Sequence, residues 1–197
     1  MFILNALKRK FVVFFLVAVL FSLLPFLQSL LNNSLYYGLK RELDVTKFSE
    51  LRLDESAIAI VFFGYLQCGT VCPLQFMNLK RLHDRLEGEP VRFIFITLDP
   101  ERDDKEKLNK AMASFGQNFI ALRPDTRQKA QDLAQIFSDG AAMRPVEGGY
   151  EIDHSGFLYV VTGNKKLELI YTSPALDLDR VEQDLAHLID NIDRKDQ

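Results

Sequence analysis

The sequence predicts an α/β domain, a mixed sheet flanked by helices, behind one N-terminal transmembrane helix. Three observations predict it. Residues 11–27 carry no charge and are almost wholly apolar. From residue 57 onward, runs apolar on both faces alternate with stretches of helical apolar spacing, as in a sheet covered on both sides. Near the C-terminus two short apolar runs flank Thr162-Gly163-Asn164, a hairpin signal, and an amphipathic stretch follows them.

The N-terminal segment continues through Gln28 and Ser29 to Leu30 and Leu31, and residues 11–31 are about long enough to span a bilayer as a helix. Lys8, Arg9 and Lys10 precede it and the next basic residues are Lys40 and Arg41. The positive-inside rule therefore leaves residues 1–10 as a basic cytoplasmic flank and everything after the anchor outside the cytoplasm, on the periplasmic side of a cell inner membrane. The alternative is a cleaved signal peptide, for which Asn32-Asn33-Ser34 is a weak site. No cysteine near the segment's end permits a lipoprotein anchor. Residues 32–50 are polar without a clear period and read as a linker, with Leu35, Leu39 and Leu43 allowing a short helix instead.

Residues 51–197 make one domain of ordinary size. Its first strand is the apolar run 57–63, and a helix is expected from Pro73, with Leu74, Met77 or Asn78, Leu82 and Leu86 at helical spacing and Gly88 as its stop. A second buried strand covers 91–98 and a second helix 104–115. A short strand at 119–122 is followed by a helix over 126–137. Strands at 157–161 and 167–171 form the hairpin, and Val181, Leu185, Leu188 and Ile189 set a closing helix on the sheet. A βαβ start and a β-hairpin-α finish is the thioredoxin-like arrangement.

The chain has 197 residues, with 27 acidic and 24 basic side chains interspersed and no basic stripe, which excludes a nucleic-acid binder. The chemistry concentrates in its two cysteines, Cys68-Gly69-Thr70-Val71-Cys72-Pro73, directly behind the first strand. Pro73 suits the first position of a helix, making Cys72 the cap residue, where a thiol is stabilised as thiolate. A plain disulfide or two buried thiols are the bland alternatives.

Three segments converge on one resemblance. Phe63-Gly64-Tyr65-Leu66-Gln67-Cys68-Gly69-Thr70-Val71-Cys72-Pro73, then Leu98-Asp99-Pro100-Glu101-Arg102-Asp103, then Asp153-His154-Ser155-Gly156 resemble the signature segments of the Sco/SenC family. The resemblance implies a membrane-anchored copper-binding protein of thioredoxin-like fold that assists assembly of the copper centre of cytochrome c oxidase. Gly69-Thr70 and Leu66-Gln67 depart from the residue pairs usual in that family.

Two thiolates and an imidazole select Cu(I) or zinc over hard cations, and a structural zinc site wants four protein ligands. A three-coordinate copper site needs only Cys68, Cys72 and one histidine. The resemblance places His154 beside the cysteines, and Gly148-Gly149 ahead of it is expected to let it swing on and off the metal. His83, between charged neighbours, and His187, on the closing helix, read as bystanders. Met77 and Met143 read as core or loop methionines. Asp99 and Arg102 either tune the site by charge or pair and cap the helix beginning near Asp103. Two functions follow. The first is a copper carrier for the copper-bearing subunit of cytochrome c oxidase or another copper protein. The second is a membrane-anchored thiol-disulfide oxidoreductase using Cys68 and Cys72 without metal. A peroxidase is disfavoured, because the Thr-x-x-Cys pattern is absent.

Overall fold

The structure, a computed structural model, describes residues 14–15, 17, 19–23, 35–48, 54 and 57–194. The chain divides into Met1–Leu35 and Tyr36–Gln197. The described residues of 14–23 are helical. Among the described residues no helix is long and apolar enough to cross a membrane, and the anchor expected over 11–31 lies largely outside them.

The second unit is built on a six-stranded mixed sheet. In chain order its elements are β1 (Leu39–Asp44), β2 (Ile58–Gly64), α1 (Cys72–Arg85), β3 (Val91–Thr97), α2 (Lys105–Ala113), β4 (Phe119–Leu122) and α3 (Arg127–Ile136). Then come β5 (Ala141–Val146), β6 (Gly149–His154), β7 (Leu158–Thr162), β8 (Lys166–Tyr171) and α4 (Leu178–Asp193). The sheet order is β1-β8-β7-β2-β3-β4, while β5 and β6 form a separate two-stranded sheet. β2, β3 and β4 run parallel, and β7 pairs antiparallel with β2.

Every residue of β2 is buried, and only Arg92 of β3 is partly exposed, as the unbroken apolar runs require of central strands covered on both faces. The register Ile58↔Val91 through Gly64↔Thr97 brings both strands to their C-terminal ends together. β2 is the strand at which the sheet changes from parallel to antiparallel neighbours. The cysteine pair follows the C-terminal end of this strand. Helices are capped by Asp104, Thr126 and Asp177, whose side chains accept from backbone N–H groups of the first turn. Arg85 of α1 pairs with Asp179 and Glu182 at the start of α4, joining the two helices.

Two expectations are corrected. Residues 39–44, read as linker, form edge strand β1, antiparallel to β8. All six are exposed, so no apolar alternation announces the strand. A distant carboxylate fixes it: Asp184 of α4 accepts the N–H groups of Tyr37 and Gly38 at 2.9 and 2.8 Å, and the Tyr171 hydroxyl at 3.1 Å. The other is that residues 141–154, where no element is expected, form the β5–β6 hairpin, with Glu147 and Gly148 at its turn and Gly149 opening β6.

Candidate metal centre

Cys68 and Cys72 flank the passage from β2 into α1. Beyond Gly64 the chain turns at Tyr65, whose carbonyl accepts the Cys68 N–H at 3.1 Å. Gly69 and Thr70 are exposed, and Cys72 opens the helix. The cap is Val71, one residue earlier than expected, because Pro73 occupies the second helical position and not the first. Cys68 therefore lies off the helix, with Cys72 in its first turn, and both thiols are buried and free. Gly64 makes room for this: a Cβ there would stand 2.8 Å from Cys72 Sγ and 3.0 Å from the Phe95 ring.

His154 arrives from the opposite side as the last residue of β6. Its Nε2 lies 3.6 Å from Cys68 Sγ and 3.6 Å from Cys72 Sγ. The ring packs between Phe62 and Tyr65, at centroid distances of 6.2 and 6.1 Å. Its buried Nδ1 has no hydrogen-bond partner among the described residues, so the aromatic walls set the ring's orientation. The expected swing on Gly148-Gly149 is corrected: those glycines sit at the far end of β6, and His154 pairs with Ala141 across the arm. Behind it the chain makes a tight bend at Gly156, φ +68°, where a Cβ would meet Val71 Cγ2 at 2.4 Å. Only glycine combines that backbone with that approach.

Gln75 and Asn78, both buried on α1, hold this bend. Gln75 Nε2 donates to the Gly156 carbonyl at 2.5 Å, and Asn78 Nδ2 donates to Gln75 Oε1 at 3.0 Å and to the Pro174 carbonyl at 2.8 Å. Sequence reasoning missed Gln75. Counting helical steps from Cys72 finds it, since positions 72, 75, 79 and 82 share the buried face.

The two thiols are driven in opposite directions. Donation from Cys72, reinforced by His154 and Thr70, holds Cys68 down at about 3. The neighbouring Cys68, together with burial, pushes Cys72 up. Cys68 is thus the more acidic of the two, the reverse of the order expected for a thiol at the helix start. The three donor atoms lie within 4.8 Å of one another, the only such group of three His, Cys, Asp or Glu side chains among the described residues. Two sulfurs and one imidazole nitrogen in so small a space fit a soft three-coordinate ion such as Cu(I), and leave a structural zinc site one ligand short.

The other expected bystanders lie elsewhere. His83, expected at the surface, packs its ring on Phe93 and Phe119 under Gly116. It stands eleven residues along α1 from Cys72, roughly 16 Å. His187 is exposed and meets the edge of Tyr36. Met77 is about half exposed, and Met143 accepts from Arg127 at 3.3 Å. Asp99 and Arg102 do pair, yet the helix cap is Asp104 and not either of them.

Residues 48–190 match the SCO1/SenC family model. A Stutzerimonas stutzeri protein named for copper binding is 26% identical over 201 residues, 96% of this chain and 98% of its own length. The human mitochondrial SCO2 homologue is 31% identical over 108 residues, which is 52% of this chain and 40% of the human protein. The solution structure of apo Sco1 from Thermus thermophilus superposes with a TM-score of 0.64 at 27% identity, covering 78% of this chain and 96% of that one.

Proposed function

The chain belongs to the SCO1/SenC family, and from that membership we propose that it is a copper metallochaperone, serving the copper centre of cytochrome c oxidase during assembly. The convergence of Cys68, Cys72 and His154 carries the reading. Copper is cargo here. The Cys68 thiolate, the Cys72 sulfur after loss of its proton, and His154 Nε2 hold it, and a partner's thiols or imidazoles take it by ligand exchange. Phe62, Tyr65 and Gly156 orient the imidazole, while Gly64 and Pro73 fix the Cys72 sulfur. A partly exposed His154 beside two buried thiols supplies the labile side of such a site.

Titration of the reduced full-length chain with Cu(I), in competition with a colorimetric chelator and without air, tests this. Cys68→Ser and Cys72→Ser should each lower affinity about a hundredfold or more, since loss of an outer-shell partner alone costs about ten- to a hundredfold. His154→Ala should lower it about tenfold or more, with His83→Ala and His187→Ala unchanged. The oxidised protein, having no thiolate, should not bind; equal binding by the oxidised form would rule out the cysteines as ligands.

The chain is further proposed to be anchored by residues 11–31 with its folded domain on the periplasmic side. Lys8-Arg9-Lys10 and the uncharged run behind them support this. A reporter fused after Gln197 should be active outside the cytoplasm, and a mature N-terminus near residue 32 would show cleavage instead.

The thiolate at Cys68 beside a thiol at Cys72 favours a second reading, thiol-disulfide exchange on the partner before metallation. Cys68 would attack the partner's disulfide and Cys72 resolve the mixed disulfide, leaving the partner reduced and this pair oxidised. His154→Ala separates the two, because it leaves exchange intact and lowers copper affinity.

A further inference from the structure

The turn after β3, Leu98-Asp99-Pro100-Glu101-Arg102-Asp103, carries three carboxylates, of which Asp99 and Asp103, four residues apart, are essentially inaccessible. Each holds a different half of the donor cluster. Asp103 accepts the Leu66 N–H at 3.1 and 3.3 Å, two residues ahead of Cys68, and the Thr97 hydroxyl at 2.5 Å. Asp99 accepts the Tyr150 hydroxyl at 2.8 Å and pairs with Arg102 Nε. Arg102 Nη1 in turn donates to the Tyr150 carbonyl at 2.8 Å, and the guanidinium lies 3.8 Å from the Tyr150 ring centroid and 5.6 Å from that of Tyr65. Arg127 Nη2 donates to the same tyrosine hydroxyl at 2.8 Å.

Tyr150 is therefore gripped at its carbonyl, its ring and its hydroxyl. It is the second residue of β6, and His154 is the last. The β5–β6 arm shares no ladder with the main sheet, so its placement depends on such side-chain fastenings. Two others near the site are weaker: Ile152 N–H donates to the Tyr65 hydroxyl at 3.3 Å, and Gln131 Nε2 donates to the carbonyl of Ala141, opposite His154, at 3.4 Å. Burying charges here is costly, and apolar residues of similar volume would fasten a purely structural joint at least as well. What the charged joint adds is direction, because a carboxylate and a guanidinium fix angles as well as contacts.

We propose that the Asp99–Asp103 turn is a positioning device for the metal site. Asp103 sets the Cys68 loop, Asp99 and Arg102 set His154 through Tyr150, and the one rigid turn keeps thiolate and imidazole in register. This rests on the ligand set proposed above.

Tyr150→Phe in the full-length chain tests it, since the phenyl ring keeps the packing and the backbone bond and removes only the hydroxyl. Cu(I) affinity should fall about tenfold, the lower end of outer-shell effects. In a His154→Ala background the same substitution should cost nothing further, because the joint acts through that ring. An equal loss in both backgrounds overturns the proposal. The metal-free chain gives an independent readout: amide exchange at Ile152 and His154 should quicken roughly tenfold, with Phe62 and Phe95 unchanged. Asp103→Ala should do the reverse, freeing the Leu66 amide and sparing Ile152. Unchanged exchange in either variant, or a common rise at all these amides in both, overturns the joint. If His154→Ala alone leaves Cu(I) affinity intact, the ligand set has failed, and the exchange pattern still decides the positioning claim.

Discussion

Cys72 sits at 2% exposure in the first turn of α1, over the end of β2, the most deeply buried strand of the sheet. His154, its partner across 3.6 Å, closes a two-stranded arm in which half the strand residues are exposed and only Ile152 is buried. One side of the cluster is held by the core itself, through apolar packing on both faces of β2 and β3. The other is held by a few polar contacts: the grip on Tyr150, the Gln75 bond to Gly156, and the aromatic walls around the imidazole. Apolar packing costs little specificity to maintain and yields slowly. A handful of directional bonds can be broken one at a time. A metal carrier benefits from this asymmetry, because two sulfurs that stay in place retain the ion while a third ligand on a separable arm opens the path for exchange.

Each half contains one glycine whose replacement attacks it specifically, and the larger effect belongs to the core half. Gly64→Ala puts a methyl group 2.8 Å from Cys72 Sγ in a strand with no room to shift. Overpacking of this kind costs about 1–3 kcal/mol. The melting temperature should drop, and Cu(I) affinity should fall more than for any other non-ligand substitution, because the sulfur itself is displaced. Gly156→Ala forces a side chain into a positive-φ conformation, costing about 1–2 kcal/mol, and presses on a partly exposed Val71 that can turn away. Its effect should be smaller in both denaturation and metal titration. If Gly156→Ala proves the more damaging, the histidine side is the rigid one and the comparison is reversed.

The same asymmetry explains what was legible in the amino-acid sequence. β2, β3 and α1 announce themselves because burial on both faces writes long apolar runs, and a chain with two cysteines behind such a strand draws attention to them. β1 escaped because Leu39-Lys40-Arg41-Glu42-Leu43-Asp44 is exposed throughout and is held by backbone bonds and by Asp184, 140 or more residues away. The arm escaped for a related reason. Pro145 and the charges of Arg144, Glu151 and Asp153 break any strand pattern, and what pairs them is cross-strand attraction, Arg144 with Glu151 and Asp153. His154 was found through the resemblance of its segment to a family and not through its periodicity. Asp99 and Asp103 were visible as residues and opaque as a joint, since nothing local says that a carboxylate after a buried strand reaches Leu66 or Tyr150.

The smallest effect expected concerns the ionisation of the two sulfurs on the core side, which His154 influences from the arm. Cys68 is held down at about 3 first by Cys72, then by His154 and Thr70, the last through a 3.6 Å contact to Thr70 Oγ1. With an ordinary thiol at 9.0, folding of the reduced, metal-free chain releases one proton from the pair between these limits, as the unfolded chain carries two thiols and the folded one a single thiolate. The pair's contribution to stability therefore grows as pH rises from 3 toward 9. Above 9 the sign turns over: Cys72, pushed up, keeps its proton while the unfolded chain loses both, and the contribution declines. Alkylation of Cys68 should accordingly stay fast as the medium is acidified, slowing only as pH approaches 3, with Cys72 unreactive throughout. Thr70→Ala removes the weakest of the three side-chain donors and should move that acid limb upward by a fraction of a pH unit, where Cys72→Ser moves it by far more. An acid limb near 9 in the unmutated protein would mean that neither Cys72 nor His154 holds the Cys68 thiol down, and the electrostatic tie from the arm to the sulfurs would be lost.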